Sequence, residues 1–503
     1  MSGRPAKLVL CVIDAMAPEM LERTIAAGAA PVLERLVAEG TYIPDCVAAF
    51  PSVTPVCAAS IVTGCGQDEH HIPAMNWYHR GEERYIEYGS SFRAAQRFGI
   101  ARQLTDTVYN MNRAHLSPDT LTVFESLDDA DVRTAGTTYL MYRGRHRHEV
   151  QRDTALTRVA TTLMRHPVMG PRELFYADIF ASRRTGCRSA LGMPGVRDRH
   201  SGCVSEYLVE HDLFDFLLLS LPDNDWHSHK KGPEAQLSSI AQADLQLARV
   251  AEAAGGVEEF LAGHAVIVMA DHSQAPVTAA IALQDELAEL GVLGPARPSR
   301  AARGAARAES VEPRIAVCPS QRAAMVYALH EAERDAMRAS VVAMSMDIAG
   351  VDLVMWLERD SRDRPREGVI ASPGHGELRF SPGGRVPDPR GRRWHVEGSL
   401  NVLGAEVRDG ALHTPSYPDA LSRVWSALLC PTSGEVLLSA ADGYEFVDWG
   451  RQAHVGGGSH GSLHASDSLG ALVITGAELP DPVPAQWAIR DVAAVARAHF
   501  GLA

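Results

Sequence analysis

The sequence predicts an α/β protein with a mostly parallel central sheet flanked by helices, and three observations support this prediction. Three short apolar runs, LVLCVI, FLLLSL and AVIVMA, each lead into an aspartate. Buried parallel strands are near-continuous apolar runs, whereas half-exposed strands alternate in polarity. Helical patterns separate the runs, as the crossover connections of a parallel sheet require. We therefore expect the three runs to be strands of one sheet.

The individual elements follow from apolar periodicity and from residues typical of helix boundaries. The first run predicts a strand over residues 7–13, followed by a helix over 18–27. A further helix is expected over 55–63, because Pro55 stands at its first position and Gly64 directly follows its end. The remaining predicted elements are helices at 31–39, 234–254 and 485–499 and strands at 213–221, 264–270, 434–440 and 468–476.

The domain organisation is predicted from the two places where the α/β pattern breaks. At 503 residues the chain exceeds the usual size of a single core, so we expect a second lobe. The pattern breaks over 86–199 and over 286–399, and we interpret both stretches as insertions that form a cap lobe. The discontinuous catalytic core then comprises residues 1–85, 200–285 and 400–503.

Two segments of low regularity lie within the second predicted insertion. Residues 294–310, GPARPSRAARGAARAES, are low in complexity and predict an exposed connection. Residues 360–394 are dense in proline, glycine and arginine, which predicts loops or short hairpins.

Composition excludes several classes of protein. Hydrophobic residues make up 46% and charged residues 22% of the chain, as in ordinary globular proteins, but the net charge of −14 argues against a nucleic-acid partner. No apolar stretch approaches the ~20 residues of a membrane span, and the first residues make a poor signal peptide. We therefore expect a cytoplasmic protein without a membrane partner. Eight cysteines without a CxxC pair predict reduced, mostly buried thiols.

Acidic and imidazole side chains follow each of the three apolar runs. The carboxyl ends of parallel strands meet at one edge of a sheet, so these side chains are expected to converge there. Carboxylate oxygens and imidazole nitrogens together bind divalent cations. The candidate ligands are Asp14, the cluster from Asp223 to His229, and Asp271 with His272. The cluster contains two Asp-x-x-x-His pairs, Asp223/His227 and Asp225/His229.

Thr54 is the candidate nucleophile. It stands immediately before the helix that begins with Pro55, where free backbone N–H groups and the helix dipole favour a phosphoryl group and an alkoxide. The alternative is that Thr54 only caps the helix. Because metal coordination lowers the pKa of a hydroxyl, the nearby ligand cluster favours the nucleophile over the cap.

Five short motifs in this order make the sequence similar to the alkaline phosphatase superfamily, most closely to its nucleotide pyrophosphatase/phosphodiesterase branch. The motifs are Asp14 at a strand end, FPSVT with a following TG around Thr54, Asp225-x-x-x-His229-x-x-Gly-Pro, Asp271–His272, and GSHGS around His460. The resemblance implies an alkaline-phosphatase-like core, two divalent metal ions and a small phosphorylated substrate. It implies zinc as the metal, with manganese as the alternative, and leaves the oligomeric state open.

The resemblance also implies a role for each motif. Asp225, His229 and His460 would hold one metal ion, and the other would be held by Asp14, Asp271 and His272. Thr54, facing both ions, would attack phosphorus and form a phospho-threonine intermediate that is then hydrolysed. The expected function is that of a phosphodiesterase or nucleotide pyrophosphatase. The alternatives are a phosphomonoesterase, a phosphonate hydrolase of the same superfamily and a non-catalytic protein that binds a phosphorylated ligand.

The sequence departs from the pattern of this branch downstream of the nucleophile. The branch carries an asparagine there that donates to the phosphate, and Met75 stands at the equivalent spacing, so the adjacent Asn76 is the candidate. Trp77 and Tyr78 are candidates for contacting the substrate, with core packing as the alternative. His375, in a Gly-His-Gly segment, either reaches the site or lies on the surface, and we favour the surface.

Overall fold

The computed structural model describes residues 7–151, 166–295, 312–358 and 366–502, and an eight-stranded, mostly parallel sheet lies at its centre. The predicted connection at 294–310 lies outside the described residues except for its first two positions. In chain order the strands are β1 (Lys7–Ile13), β2 (Thr41–Val47), β3 (Asn76–His79), β4 (Arg84–Glu87), β5 (Thr134–Thr137), β6 (His146–His148), β7 (Val168–Gly170), β8 (Glu173–Tyr176), β9 (Phe180–Ala181), β10 (Phe216–Leu221), β11 (His264–Met269), β12 (Ala275–Ile281), β13 (Ile315–Ser320), β14 (Ala323–Ala328), β15 (Val351–Glu358), β16 (Glu367–Ser372), β17 (Gly376–Pro387), β18 (Arg393–Gly398), β19 (Glu406–Arg408), β20 (Ala411–His413), β21 (Val436–Ala440), β22 (Gly443–Phe446), β23 (Gly458–Ser459) and β24 (Leu469–Thr475).

The helices alternate with the strands of the central sheet, as predicted. Helix α3 ends as expected, because Gly64 adopts the left-handed conformation (φ 78°) that favours glycine. A π-helix covers Asp106–His115. The α-helices are α1 (Pro18–Ala26), α2 (Pro31–Glu39), α3 (Thr54–Thr63), α4 (Gln67–His70), α5 (Phe92–Phe98), α6 (Ile100–Thr105), α7 (Val123–Asp129), α8 (Arg197–Glu210), α9 (Asp223–Lys231), α10 (Gln236–Ala253), α11 (Val257–Gly263), α12 (Leu283–Glu286), α13 (Arg334–Met346), α14 (Ala420–Leu429), α15 (Ala465–Ser468) and α16 (Asp491–His499).

The central sheet has the strand order β2–β24–β11–β1–β10–β5–β8–β9. Strands β11, β1, β10, β5 and β8 run parallel, and the pairings at both edges are antiparallel. Along β1, Leu8 and Leu10 pack into one hydrophobic cluster while Val9 and Cys11 pack into another on the opposite face. Both faces are therefore buried, which is why the strand is apolar at every position. The predicted fold class is confirmed.

Two strand pairings differ from the predicted division into core and insertions. The stretch 86–199, interpreted as an insertion, supplies β5, β8 and β9 to the central sheet. Strand β21, expected in the core, instead joins a second sheet with strands from residues 286–399. Short strands such as β5 and β8, four residues each, carry too little apolar periodicity to be recognised in the sequence.

The second sheet is antiparallel, with the order β13–β14–β21–β15–β16–β17–β18. The interpretation of residues 360–394 as loops or short hairpins is confirmed in its second alternative for the described part, because β16 and the twelve-residue β17 form an antiparallel hairpin there. Strand β17 contains two prolines and three glycines, and its register shifts between Pro382 and Val386. Such an irregularity accommodates residues that usually interrupt strands.

The cysteines differ from the prediction at one pair. Cys187 and Cys203 form a disulfide, so they are not reduced thiols. The other six are free, and five of these are buried, as expected. A spacing of 16 residues between two cysteines does not by itself predict a disulfide from the sequence. Within the described ranges, no helix is both long enough and apolar enough to cross a bilayer.

Candidate metal centre and nucleophile

Four of the predicted ligands follow the carboxyl ends of three neighbouring strands, β10, β1 and β11. Asp14 directly follows β1, and Asp225 lies in the first turn of α9, after β10. Ala270 follows the last residue of β11, and Asp271 and His272 come directly after Ala270. Because these strands are adjacent and parallel, their ends place the four side chains at one edge of the sheet.

Asp225, His229 and His460 form the first ligand set. Asp225 and His229 are four residues apart on α9 and therefore share one face of the helix. Nε2 of His229 lies 3.3 Å from Oδ1 of Asp225, and Nε2 of His460 lies 3.5 Å from the same oxygen. The two Nε2 atoms are 3.2 Å apart. The three ligand atoms thus converge on one point, as the resemblance implied.

Asp14, Asp271 and His272 form the second ligand set. Nε2 of His272 lies 3.5 Å from Oδ1 of Asp14 and 3.5 Å from Oδ2 of Asp271. The ligand atom of His272 is also within 4.8 Å of those of Asp225 and His460. The imidazole rings of His272 and His460 stack, with centroids 3.7 Å apart. The two sets are therefore contiguous, which is the arrangement that a pair of neighbouring cations requires.

The protonation state of the three histidines follows from their second ring nitrogens. Each Nδ1 lies within hydrogen-bond distance of a backbone carbonyl, at 2.8, 2.7 and 3.1 Å. A carbonyl only accepts, so each Nδ1 carries the proton and each Nε2 presents its lone pair to the site. Hydrogen bonds of this kind orient metal-binding histidines. The accepting carbonyls belong to Gly458 for His229, Ser52 for His460 and Ser273 for His272.

The electrostatics of the site fit divalent cations. Burial raises the pKa of Asp14 well above its usual range, and the charges of Asp271 and Asp225 raise it further. Burial also lowers the pKa of His460 well below its usual range, with His272 adding to the effect. Oδ1 of Asp14 is buried without a hydrogen-bond partner among the described residues. Crowded carboxylates and facing lone pairs repel one another, and bound cations turn both into attractions.

Thr54 is the first residue of α3 and lies beside the second ligand set. Its Oγ1 is 3.3 Å from Nε2 of His272. The helix cap is Val53, whose carbonyl accepts the N–H groups of Val56 and Cys57, and no side chain caps this helix end. The alternative of a capping threonine is therefore wrong. The expected free N–H groups of Val56 and Cys57 are bonded as well, so the helix dipole is the main influence of α3 on the hydroxyl.

Ser52 ties the nucleophile segment to the loop that carries His460. Its Oγ donates to the carbonyl of Ser462 at 3.0 Å and accepts the N–H of Gly461 at 3.1 Å. The carbonyl of Ser52 accepts from Nδ1 of His460. The FPSVT and GSHGS motifs are therefore parts of one hydrogen-bonded unit, although about 400 residues separate them.

A buried ion pair holds the other side of the same loop. The Arg322 guanidinium, fully buried, pairs with the carboxylate of Asp467. The second oxygen of Asp467 accepts the N–H of Ser462 at 2.8 Å, and the backbone N–H of Arg322 donates to the carbonyl of His460 at 2.9 Å. This pair therefore fixes the backbone on both sides of the ligand. It was not identified from the sequence, because Arg322 belongs to no motif.

The two Asp-x-x-x-His pairs have different surroundings. Asp225 and His229 lie in the ligand cluster, whereas Asp223 is buried away from it. The carboxylate of Asp223 accepts from Nε of Arg197 at 2.9 Å and from the N–H groups of Gly195 and Asp198 at 2.8 and 3.1 Å. Asp223 thus anchors the segment before α8. The structure brings Asp225 and His229 together with the other ligands, as favoured from the sequence.

A cavity of about 450 Å³ opens beside the cluster, and several of its lining residues were not predicted. The hydroxyls of Thr138 and Tyr139 are buried without a hydrogen-bond partner among the described residues. Thr138 also has a φ of 53°, a strained conformation for a β-branched residue. No sequence signal marks these positions, since hydroxyl residues are common in loops and a positive φ at threonine follows no motif.

Asn76, Trp77 and Tyr78 are not among the residues that line the cavity, so their contact with substrate stays a prediction. The Asn76 amide donates to the carbonyl of Ile86 at 2.9 Å and to Oε2 of Glu87 at 3.1 Å, which uses both of its protons. Trp77 and Tyr78 belong to the hydrophobic core. All three lie on β3 of a small hairpin, whose packing decides their orientation. His375 is exposed in the turn after β16, as favoured from the sequence.

The bonds that Glu87 accepts show what the Asn76 amide does in this structure. The Oε1 atom of Glu87 accepts the backbone N–H groups of Gly89 and Ser90. Gly89 and Ser90 line the cavity, so Glu87 organises a part of its wall. By bonding Glu87, the Asn76 amide stabilises that wall from behind.

Comparison with known proteins identifies the family. Residues 8–364 match the family described as type I phosphodiesterase/nucleotide pyrophosphatase. No curated protein matches the chain.

Several solved structures share the fold over almost the whole chain. An inactive threonine-to-alanine variant of murine ectonucleotide pyrophosphatase/phosphodiesterase 5 in complex with AMP has a TM-score of 0.57 at 9% identity, covering 99% of this chain and 95% of the murine one. Phosphonoacetate hydrolase from Sinorhizobium meliloti 1021, with phosphonoacetate bound, has a TM-score of 0.55 at 16% identity and covers 99% and 96%. Its complex with phosphonoformate gives 0.53 at 17% identity. At these identities the likeness shows a common fold.

Proposed function

Because the chain belongs to the type I phosphodiesterase/nucleotide pyrophosphatase family, we propose that it hydrolyses phosphoric esters with Thr54 as the nucleophile. The observation that carries the proposal is the position of the Thr54 hydroxyl. It caps no helix, lines the cavity and lies 3.3 Å from Nε2 of His272, where the two ligand sets meet. The hydroxyl is thus bonded to a candidate metal ligand and not to the end of its own helix, which is where a nucleophile is expected.

The two ligand sets are suited to hold one divalent cation each. Asp225, His229 and His460 would hold the first. Asp14, Asp271 and His272 would hold the second. When bound, two such cations lower the pKa of an attacking hydroxyl and neutralise the charge on the phosphoryl oxygens. The mixed nitrogen and oxygen ligands are compatible with zinc, and manganese is the alternative.

Thr54 carries out the bond-forming step. Its Oγ1 attacks phosphorus as the bond between phosphorus and the leaving group breaks, and the proton of the Thr54 hydroxyl is released to solvent. Water then cleaves the phospho-threonine ester and restores the hydroxyl. The dipole of α3, whose positive end lies at Thr54, stabilises negative charge on this oxygen. The bonds of Ser52 keep Thr54 and His460 in a fixed relation during both steps.

The proposal is tested by the hydrolysis of bis-p-nitrophenyl phosphate and p-nitrophenyl phosphate, with added zinc or manganese. Wild type is expected to turn over the diester faster, and Thr54→Ala is expected to lose more than about a thousandfold in rate. Thr63→Ala is the matched control, because Thr63 ends the same helix and its hydroxyl donates to the carbonyl of Ala59 and accepts the N–H of Cys65, both of them backbone groups. Mass spectrometry of quenched wild type should show a phosphoryl group on Thr54. Full turnover by Thr54→Ala would refute the nucleophile.

Phosphonate hydrolysis is a second candidate. Phosphonoacetate hydrolase is among the structural neighbours, and the described residues that line the cavity include no asparagine, which the resemblance placed on the diester substrate. Release of inorganic phosphate from phosphonoacetate, measured beside the two nitrophenyl compounds, separates this candidate from diesterase and monoesterase activity. A protein that binds two metal ions and phosphate but turns over none of the three compounds would favour the non-catalytic alternative.

A further inference from the structure

Positive charge is scarce in the cavity. Among the described residues that line it, Arg197 is the only arginine or lysine. Arg197 is the first residue of α8, and its side chain is 23% exposed. Its Nε donates to Oδ1 of Asp223 at 2.9 Å and its Nη2 to the carbonyl of Pro222 at 3.1 Å. Nη1 has no hydrogen-bond partner among the described residues, so it is available to a ligand.

The guanidinium is held in a fixed orientation relative to the metal centre. Asp223, only 6% exposed, accepts from Arg197 and from two backbone N–H groups. Two residues later in the same helix, Asp225 belongs to the first ligand set. The anchor of the arginine and a metal ligand therefore share one turn of α9. A preorganised arginine loses little conformational entropy when it binds an anion.

The lining of the cavity also contains apolar residues and an unpaired hydroxyl. Tyr176 and Trp226 line the cavity together with Arg197, and the Tyr139 hydroxyl, on a residue 6% exposed, has no partner in the described chain. Buried polar atoms of this kind normally bond a ligand or water.

We infer that Arg197 forms an anion-binding subsite for a second anionic group of the substrate, separate from the phosphoryl group at the metal centre. The inference rests on the proposed function. It narrows the substrate class to phosphoryl or phosphonyl compounds that also carry a carboxylate or a further phosphate. Arginine binds both groups with charge-assisted hydrogen bonds. A cavity of about 450 Å³ has the size of ordinary small-molecule sites and accommodates such a two-headed ligand.

The test compares three inhibitors of bis-p-nitrophenyl phosphate hydrolysis. Methylphosphonate carries one anionic head, whereas phosphonoacetate adds a carboxylate and methylenediphosphonate adds a second phosphonate. In wild type, at least one two-headed compound is expected to have an inhibition constant about tenfold below that of methylphosphonate. The tighter of the two identifies the preferred second anion. In Arg197→Gln the advantage should shrink to about twofold, with the constant for methylphosphonate unchanged.

The ratio of the inhibition constant of methylphosphonate to that of the tighter two-headed compound is measured within each variant, so it does not depend on the fraction of folded protein. Arg199→Gln is the matched control, because Arg199 is exposed on the same helix; its ratio should equal that of wild type. If Arg197→Gln does not fold, Arg197→Lys replaces it, and the shorter side chain should lower the advantage severalfold. An advantage that persists in the Arg197 variants would overturn the inference, since the second anion would then bind elsewhere, for example to a metal ion.

The outcome is separable from that of the proposed function. Calorimetric titration of the three compounds into zinc-loaded protein measures the same ratio without turnover. Absence of diester hydrolysis together with a ratio that depends on Arg197 would reject the catalytic proposal and retain the subsite. Hydrolysis lost in Thr54→Ala, together with equal affinities for all three compounds in wild type, would retain the enzyme and reject the subsite.

Discussion

The two walls of the cavity differ in how their polar atoms are bonded. On the ligand wall, formed by Thr54 and the two metal-ligand sets, each histidine is oriented by a backbone carbonyl. On the other wall, defined by Thr138, Tyr139 and Arg197, the two hydroxyls are buried without partners in the described chain and the arginine has an unused donor. We call these residues the substrate wall. The chain itself thus completes the geometry of the first wall, whereas the second is completed only by what it binds.

The difference indicates a division of labour. A reaction that needs two cations at fixed positions requires ligands held to within fractions of an ångström. Selection among phosphorylated compounds requires unsatisfied donors, because a ligand that lacks the matching acceptor leaves a buried polar group unpaired. Changes to the ligand wall should therefore abolish turnover of every substrate, whereas changes to the substrate wall should alter which substrate is preferred.

The largest effect is expected for His460→Ala, which removes a ligand from the ligand wall. Its buried Nε2 lies 3.2 Å from that of His229 and 3.5 Å from Asp225, so the first ligand set loses one of three donors. We expect kcat/KM to fall more than about a thousandfold for all substrates. Elemental analysis should show about one metal ion per chain in place of two.

His464→Ala is the control for this substitution. His464 lies four residues later and pairs with Asp352 at 3.0 Å, outside both ligand sets. Its removal should leave metal content unchanged and the rate within about threefold of wild type. Two ions retained in His460→Ala would mean that this histidine binds none.

Arg322→Met is expected to have the next largest effect, because it breaks the ion pair behind the ligand wall. The carboxylate of Asp467 would remain buried and uncompensated, which costs about 3–5 kcal/mol of unfolding free energy. Urea unfolding measures this loss. The double variant Arg322→Met/Asp467→Leu removes both charges and should regain a large part of the stability. If the single and double variants were equally unstable, lost packing rather than the stranded charge would be the cause.

Glu87→Gln tests the role of Glu87 behind the substrate wall through the pH dependence of the stability of the protein. Burial raises the pKa of Glu87 from 4.5 to about 7, against the opposing bonds from Ser90 and Gly89. The folded state therefore holds a proton that the unfolded state releases, so this stabilisation is complete below about pH 4.5 and is lost as the pH rises through about 7. Thermal unfolding of wild type, compared with Glu87→Gln, should show this pH dependence, worth about 3 kcal/mol, only in wild type. If the stability of wild type and of Glu87→Gln changed with pH in the same way, the raised pKa of Glu87 would be contradicted.

The smallest effect is expected for Thr138→Gly. Glycine adopts the φ of 53° without strain, so the folded state should gain about 1 kcal/mol despite the lost side chain. Turnover of the preferred substrate should fall, because the substrate wall loses a hydroxyl donor. Thr137→Gly is the control at the preceding residue, which ends β5. Its hydroxyl accepts the N–H of Ser220 at 3.4 Å and its backbone has no strain to relieve, so it should be destabilised.

The same contrast between the walls explains what could be predicted from the sequence. The ligand wall is built from residues directly after long apolar strands, such as Asp14 after β1, and each lies within a short motif. Strand ends and motif spacing together determine where such side chains meet. For this reason the ligand sets converge in the structure as the sequence indicated.

The substrate wall comes from residues 86–199, where strands are short and the chain follows no regular period. Its position depends on packing, as does that of Glu87 behind it, toward which a hairpin turns the amide of Asn76. The strained Thr138 illustrates the second reason, because its conformation is imposed by tertiary contacts that override local preference. The disulfide between Cys187 and Cys203 likewise depends on a spatial proximity that no spacing rule contains.

The position of β24 has a consequence for the biosynthesis of the protein. This strand, Leu469–Thr475, lies between β2 and β11 and pairs with both. On the ribosome, β2 emerges early but has no neighbour in the central sheet until more than 400 further residues have been made, which takes tens of seconds or longer. During that interval an unpaired strand edge is exposed to other chains. The emerging polypeptide is therefore expected to need chaperone protection until residue 475 has left the exit tunnel.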